Sequence, residues 1–260
     1  MITVVITAKS VTPLLRRSIE ELSSFPIILV GGGEKVQKLA EEYGVLYLEE
    51  NGGKLAALKK ALAEVETPWV FVLTGDSFIT REHLIKLRTR INDKIGGVQP
   101  AIEVVGDTLA ARAMRAIFNT QNNIMRQFPR LSDSYLFKRI PLTGDFFIDE
   151  LCVEYHLRQL GYGIAYEPSA VVKTLGPKRL IDLLEQRRRI HAQYNNDKKY
   201  YLPSTQRLSL IALIKYLDWS DPTALVVATI IYLLASILGW IDYKLGKAAA
   251  TWREIQRVKK

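Results

Sequence analysis

The chain has 260 residues, enough for one α/β domain with a large core and an appendage. Its 48% hydrophobic content suits a globular protein, and its formal charge of +9 calls for an anionic partner. A single cysteine, Cys152, excludes an intrachain disulfide and a multi-cysteine metal site.

In chain order, Ile2 to Thr7 is a β-branched run that predicts a strand, followed by an amphipathic helix over roughly Leu14 to Leu22. Pro26 to Val30 and Val45 to Leu48 predict strands around a helix at Glu34 to Tyr43. Lys54 to Val65 predicts a helix with Ala and Leu on one face, Trp69 to Leu73 a strand, and Thr80 the cap of the helix after it. Gly96 to Val105 is a β pattern, and Thr108 to Met125 a long helix. Pro129 to Asp145 is less regular, with a strand at Tyr135 to Lys138. A helix at Glu150 to Leu160 precedes two short strands, Ile164 to Tyr166 and Ala170 to Lys173, and a helix at Leu180 to Gln193. Strand–helix alternation with short connections predicts the α/β class, a mostly parallel sheet with helices on both faces. Ligands of such sheets bind beyond the carboxyl ends of the strands, at the loops starting from Thr7, Gly31, Glu49 and Thr74.

Pro222 to Ile241 carries no charged residue, and a helix of that length matches the hydrocarbon thickness of about 30 Å. Tyr232, Trp240 and Tyr243, with Lys244 and Lys247 beyond, favour a membrane segment over a buried core helix. Leu208 to Trp219, interrupted by Lys215, reads as an amphipathic interfacial helix leading into it. The expected division is a domain over 1–203 and a membrane-associated region over 204–260 ending in a basic tail. Much of the excess charge lies from Lys178 to Arg207 and from Lys244 to Lys260, flanking the apolar run. Membrane lipid head groups are therefore the expected anionic partner, and nucleic acid is not. No basic leader or cleavage-type region opens the chain, so the amino-terminal domain is expected at the cell membrane on the cytoplasmic side. A single span would place the basic tail outside, and a shallow hairpin would keep it inside.

Chemistry concentrates between Asp149 and Ile190. Adjacent acids, Asp149 and Glu150, open a helix pattern that runs to Gly161-Tyr162, and Gln186-Arg187-Arg188-Arg189-Ile190 follows. Acids at a helix start also favour the macrodipole, which is the structural explanation of the pair. Order and spacing resemble the acceptor half of glycosyltransferase family 2, as in cellulose, hyaluronan and poly-N-acetylglucosamine synthases. Those enzymes carry an acidic pair, Gly-Tyr or Gly-Trp, then Gln-x-x-Arg-Trp; Ile190 stands here where Trp is usual.

The donor half is similar but departs. Gly52-Gly53-Lys54-Leu55-Ala56-Ala57-Leu58 matches the family's Gly-Lys-x-x-Ala-Leu. Thr74-Gly75-Asp76 stands at the Asp-x-Asp position, with only the second acid kept. Gly31-Gly32-Gly33 and Ala8-Lys9-Ser10 replace the stretches that usually supply nucleobase-contacting acids.

The resemblance implies a GT-A fold, a Rossmann-like nucleotide-diphospho-sugar transferase, acting on a nucleotide-sugar donor with inversion. It places Glu150 as catalytic base beside Asp149. Ala8, Gly31, Lys54, Gly75 and Asp76 fall at the donor and its diphosphate, with Asp76 holding Mg2+ or Mn2+. Gln186, Arg187 and Arg189 fall at an acceptor or diphosphate clamp, the fixed guanidinium fork suiting that task. The acceptor implied is lipid-linked or a saccharide at the bilayer. Two other readings stay open: a degenerate, non-catalytic membrane protein of this fold, and a sugar-phosphate nucleotidyltransferase of related fold. His156 and His191 lack metal-ligand spacing, and Cys152 is expected to be a small buried side chain.

Overall fold

A computed structural model describes residues 1–50, 52–200 and 214–247. Their contacts fall into two compact units. The first holds 1–101 and 130–172; the second holds 102–129 and the described residues from 173 on.

The first unit is built on an eight-stranded sheet of order β3-β2-β1-β4-β7-β6-β8-β5. Its parallel part comprises β1 (Ile2–Ala8), β2 (Ile27–Gly31), β3 (Leu46–Glu49) and β4 (Trp69–Thr74), with β7 (Tyr135–Lys138) antiparallel to both β4 and β6 (Ile95–Val105). β8 (Gly163–Leu175) and β5 (Ser77–Ile79) complete it. The chain moves outward from β1 to β3 through α1 (Pro13–Glu21) and α2 (Glu34–Tyr43), then returns through α3 (Lys54–Glu64) to β4 on the other side of β1. Right-handed crossovers therefore put α1 and α2 on one face and α3 on the opposite one. Alternation along the strands agrees. Val5, Ile28, Val30, Val70 and Val72 share a core with Ala57, Leu58 and Ala61 of α3.

Local chemistry fixes the helix ends. Thr12 and Thr80 cap α1 and α4 (Arg81–Thr89) by accepting from Leu15 and His83 amides. α6 (Asp149–Gln159) ends in a Schellman turn, with Gly161 at φ 83° and the Tyr162 amide donating to Leu157 O at 2.9 Å.

Two expectations are corrected. β8 is one 13-residue strand and not two. Glu167-Pro168-Ser169 interrupts the pattern, but Glu167 Oε1 accepts from Ser169 N at 3.0 Å and Oγ at 2.6 Å, so the polar atoms there are satisfied as the strand passes. β5 has no counterpart in the sequence reading because three residues are too short to show a period.

The second unit contains the far ends of β6 and β8 together with α5 (Leu109–Met125), α7 (Leu180–Asp197) and α8 (Pro222–Lys244). Only 214–219 of the expected interfacial helix are described; 208–213 and the tail from 248 lie outside the described residues. α8 is long and apolar enough to cross a membrane.

Candidate functional site

Parallel pairing aligns the carboxyl ends of β1, β2 and β4: Ala8 sits beside Gly31, and Thr7 beside Thr74. The Gly75 amide donates to Thr7 O at 2.8 Å, and Thr12 Oγ1 donates to Gly75 O at 2.5 Å. A Cβ on Gly31 would lie 1.7 Å from Ala8 O, and one on Gly75 would lie 2.6 Å from Ala8 Cβ. Three of the residues that the resemblance assigns to the donor, Ala8, Gly31 and Gly75, thus form one tightly closed edge, where a side chain on either glycine would meet Ala8. Asp76 follows Gly75, half-buried, at the head of the turn into β5.

The β3–α3 loop starts at the same edge. Glu50 N donates to Gly31 O at 3.0 Å, and the loop ends at Lys54, the first residue of α3. Lys54 Nζ lies 3.2 Å from Asp149 Oδ2 and 2.5 Å from the Asp133 carbonyl oxygen. Tyr135 Oη donates to the same Asp149 oxygen at 2.6 Å. The fourth donor-side residue, Lys54, is therefore joined to the acid pair at the start of α6. Both interactions meet the buried Asp149 carboxylate at the same oxygen.

Glu150, the next residue, shares a side-chain hydrogen bond with Asp149. Burial, then the Asp149 charge, push its carboxyl up to about 8, against the opposing pull of Lys54. The two adjacent carboxyls thus differ in setting: Asp149 is held by Lys54 and Tyr135, and Glu150 is poised to gain or lose a proton near pH 8. The same acids push the buried Tyr135 phenol upward after burial itself, so it stays a donor. Tyr135→Phe removes that bond and is expected to cost about 1–2 kcal/mol in urea unfolding.

Tyr135 and Asp133 are the residues sequence reasoning missed. Asp133 is the sole non-glycine with positive φ among the described residues (53°), a conformation aspartate tolerates, and it aims its carbonyl at Lys54. The Ser132-Asp133-Ser134 turn before a strand was the available signal. Glu154, one turn beyond Glu150, is buried and accepts from Leu131 N at 3.0 Å and Arg158 Nε at 2.9 Å, so it fixes the same loop. Gly161-Tyr162 has a structural task besides its place in the motif: Tyr162 packs on Gly96 and accepts from Lys138 Nζ at 2.5 Å. Cys152 is buried, as expected.

Gln186, Arg187 and Arg189 belong to the second unit, on α7. There Arg187 is buried with its guanidinium carbon 5.3 Å from the Phe118 ring centroid. Arg188 makes a two-bond ion pair with Asp242 of α8, at 2.5 and 2.6 Å.

For a divalent cation, the described residues contain no group of three or more His, Cys, Asp or Glu side chains. Thr74 Oγ1, in place of the usual first acid, is 2.7 Å from Ser77 Oγ. Asp76 is left as the one carboxylate of the loop. That donor set fits Mg2+ or Mn2+ bound through one carboxylate and completed by substrate phosphates.

Comparison with known proteins finds the same fold elsewhere. In solved structures the fold is shared with a mannosyltransferase from Pyrobaculum calidifontis in complex with GDP-Man and Mn2+. The TM-score is 0.57 at 16% identity, over 95% of this chain and 79% of that one. It is shared also with glucosyl-3-phosphoglycerate synthase from Mycobacterium tuberculosis in complex with Mn2+, UDP-glucose and phosphoglyceric acid. There the TM-score is 0.57 at 16% identity, over 81% and 84% of the two chains. No curated protein matches by sequence. The model of glycosyl transferase family 2 matches residues 3–147, ending just short of the acid pair. More than half of the sequence is covered by that match, so the chain belongs to glycosyl transferase family 2 and is a glycosyltransferase.

Proposed function

We propose that this glycosyltransferase moves a sugar, with inversion, from a nucleotide-sugar donor to a lipid-linked or saccharide acceptor held near a membrane, on its cytoplasmic side. The observation that carries the reading is the split acid pair at the start of α6: Asp149 held by Lys54 and Tyr135, and Glu150 raised toward neutrality. In the transfer, the acceptor hydroxyl oxygen bonds to the anomeric carbon as that carbon's bond to the diphosphate oxygen breaks. The hydroxyl proton passes to Glu150, and the nucleoside diphosphate leaves. Asp149, fixed by Lys54 and Tyr135, positions the start of α6 beside it.

The closed edge of Ala8, Gly31 and Gly75 offers backbone to the donor, and Asp76 would hold Mg2+ or Mn2+. Such an ion, when bound, neutralises charge on the departing diphosphate. Gln186, Arg187 and Arg189 are assigned to the acceptor or diphosphate clamp, and the division at 203 and 204 separates catalysis from membrane attachment. Both structural neighbours were solved with Mn2+ and a nucleotide sugar, but with different bases, GDP and UDP. The missing acids after β1 and β2 leave the base of this donor open.

The test is nucleotide diphosphate release from a panel of GDP- and UDP-sugars with and without Mn2+. Metal-stimulated release is expected for at least one donor, with Asp76→Asn lowering it by roughly 10²-fold. No metal-dependent binding or release of any donor would instead support the non-catalytic reading, which the single loop carboxylate favours.

A further inference from the structure

α8 meets the length and composition of a spanning helix, yet its two faces differ. One face is small and covered: Ala224, Ala228, Ala235 and Gly239 are buried. At Gly239 a Cβ would lie 2.6 Å from Arg188 O and 2.7 Å from His191 Cβ, so α7 lies directly against α8 along this line. The other face is apolar and open: Val226, Ile230, Leu233, Ile237 and Trp240 are each more than half exposed. Even Thr229 turns its hydroxyl back to Leu225 O at 2.8 Å. Both ends of α8 are tied down within the second unit. Asp221 caps it and accepts from Arg112 of α5 at 2.7 Å, while Asp242 pairs with Arg188 of α7.

The companion helix is polar. At mid-length of α8, His191 faces Ser236 and stacks edge-on against Tyr232, with ring centroids 4.6 Å apart. α7 continues beyond it with Asn195, Asn196 and Asp197, and its Arg188 carbonyl also lies against Gly239. A spanning α8 would draw these groups of α7 into hydrocarbon, where charged and amide side chains are strongly disfavoured. An in-plane helix meets both demands: its open face enters the lipid and its covered face keeps α7 toward water.

We propose that α8 lies in the surface of an anionic bilayer and does not cross it, with Val226, Ile230, Leu233, Ile237 and Trp240 immersed. Lys244 and Lys247, at its carboxyl end, supply charge that suits acidic head groups. This rests on the membrane-proximal reading given above and turns its expected span into a one-sided attachment.

Two cysteine-labelling readouts on the full chain test it. In sealed inverted membrane vesicles, Ser220→Cys and Lys247→Cys flank α8, and a membrane-impermeant maleimide is expected to label both from the outside to the same extent. In vesicles containing phosphatidylglycerol and brominated lipid, bimane on Leu233→Cys is expected to be quenched at least twofold more than bimane on Ser236→Cys. Labelling of one end only means that α8 spans, and it overturns the proposal. An unquenched Leu233 position means that protein covers the face, a second copy or another segment of the chain, and this also overturns it. Nucleotide-sugar turnover of the same preparations reads the transferase assignment separately.

Discussion

Glu150→Gln is expected to lower sugar transfer by about 10³-fold while leaving nucleotide affinity within a factor of about two. The amide keeps the shape of the carboxylate at the start of α6 but cannot take the acceptor proton. Donor binding is assigned to other elements, the ends of β1, β2 and β4, so affinity and turnover should separate. Isothermal titration with the nucleoside diphosphate, beside initial rates, reads both. The same variant carries a stability signature of definite sign. Folding raises the Glu150 carboxyl from 4.5 to about 8, so the folded chain holds that proton more tightly than the unfolded one. The resulting stabilisation is complete below the lower value and is lost as pH rises through the upper one. Glu150→Gln cannot ionise and should gain on the parent by about 1–3 kcal/mol between acid and mildly alkaline buffer in urea titrations.

Gly31→Ala is expected to be the most damaging small substitution in the parallel sheet. The new methyl carbon would overlap Ala8 O, 1.7 Å away, and that oxygen sits on a paired strand with no freedom to retreat. A loss of about 3 kcal/mol or more, read as a melting-temperature drop of roughly 10 °C, is the expected outcome. Gly33→Ala is the matched control. Its glycine has φ 101° but nothing within 4 Å of a Cβ, so only the backbone cost of about 1 kcal/mol remains. Equal losses in the two variants would show that conformation, and not close approach to Ala8, sets the need for glycine at this edge of the sheet.

Much of this architecture was legible from local patterns. The helix at Glu34–Tyr43 and the strand at Tyr135–Lys138 have the bounds their periodicity predicts, and Thr80 caps the helix it precedes. Such features depend on neighbours within a few residues, which is what a sequence displays. The pairing of Lys54 with Asp149 does not, because those residues stand on different helices and meet only through the fold. Sequence resemblance put Lys54 with the donor; the structure joins its ammonium to the acid pair, at the end of the β3–α3 loop whose Glu50 amide donates to Gly31 O. Tyr135 was hidden for the same reason: a tyrosine in an apolar strand reads as core, and only the fold shows its hydroxyl on a carboxylate. The continuous β8 was masked by Pro168, whose neighbours satisfy one another locally. α8 was legible as an apolar helix, but its covered seam along α7 required coordinates.

The central claim is that Glu150 is the proton acceptor and that its burial, with Asp149 beside it, sets when it can act. The pH dependence of transfer by the unmodified chain tests this most directly, with the residual rate of Glu150→Gln followed beside it. Activity of the unmodified chain should rise with pH to a plateau, with a midpoint near 8, and the Glu150→Gln rate should show no such limb. A midpoint in the ordinary carboxylate range, or a variant as fast as its parent, would contradict the account.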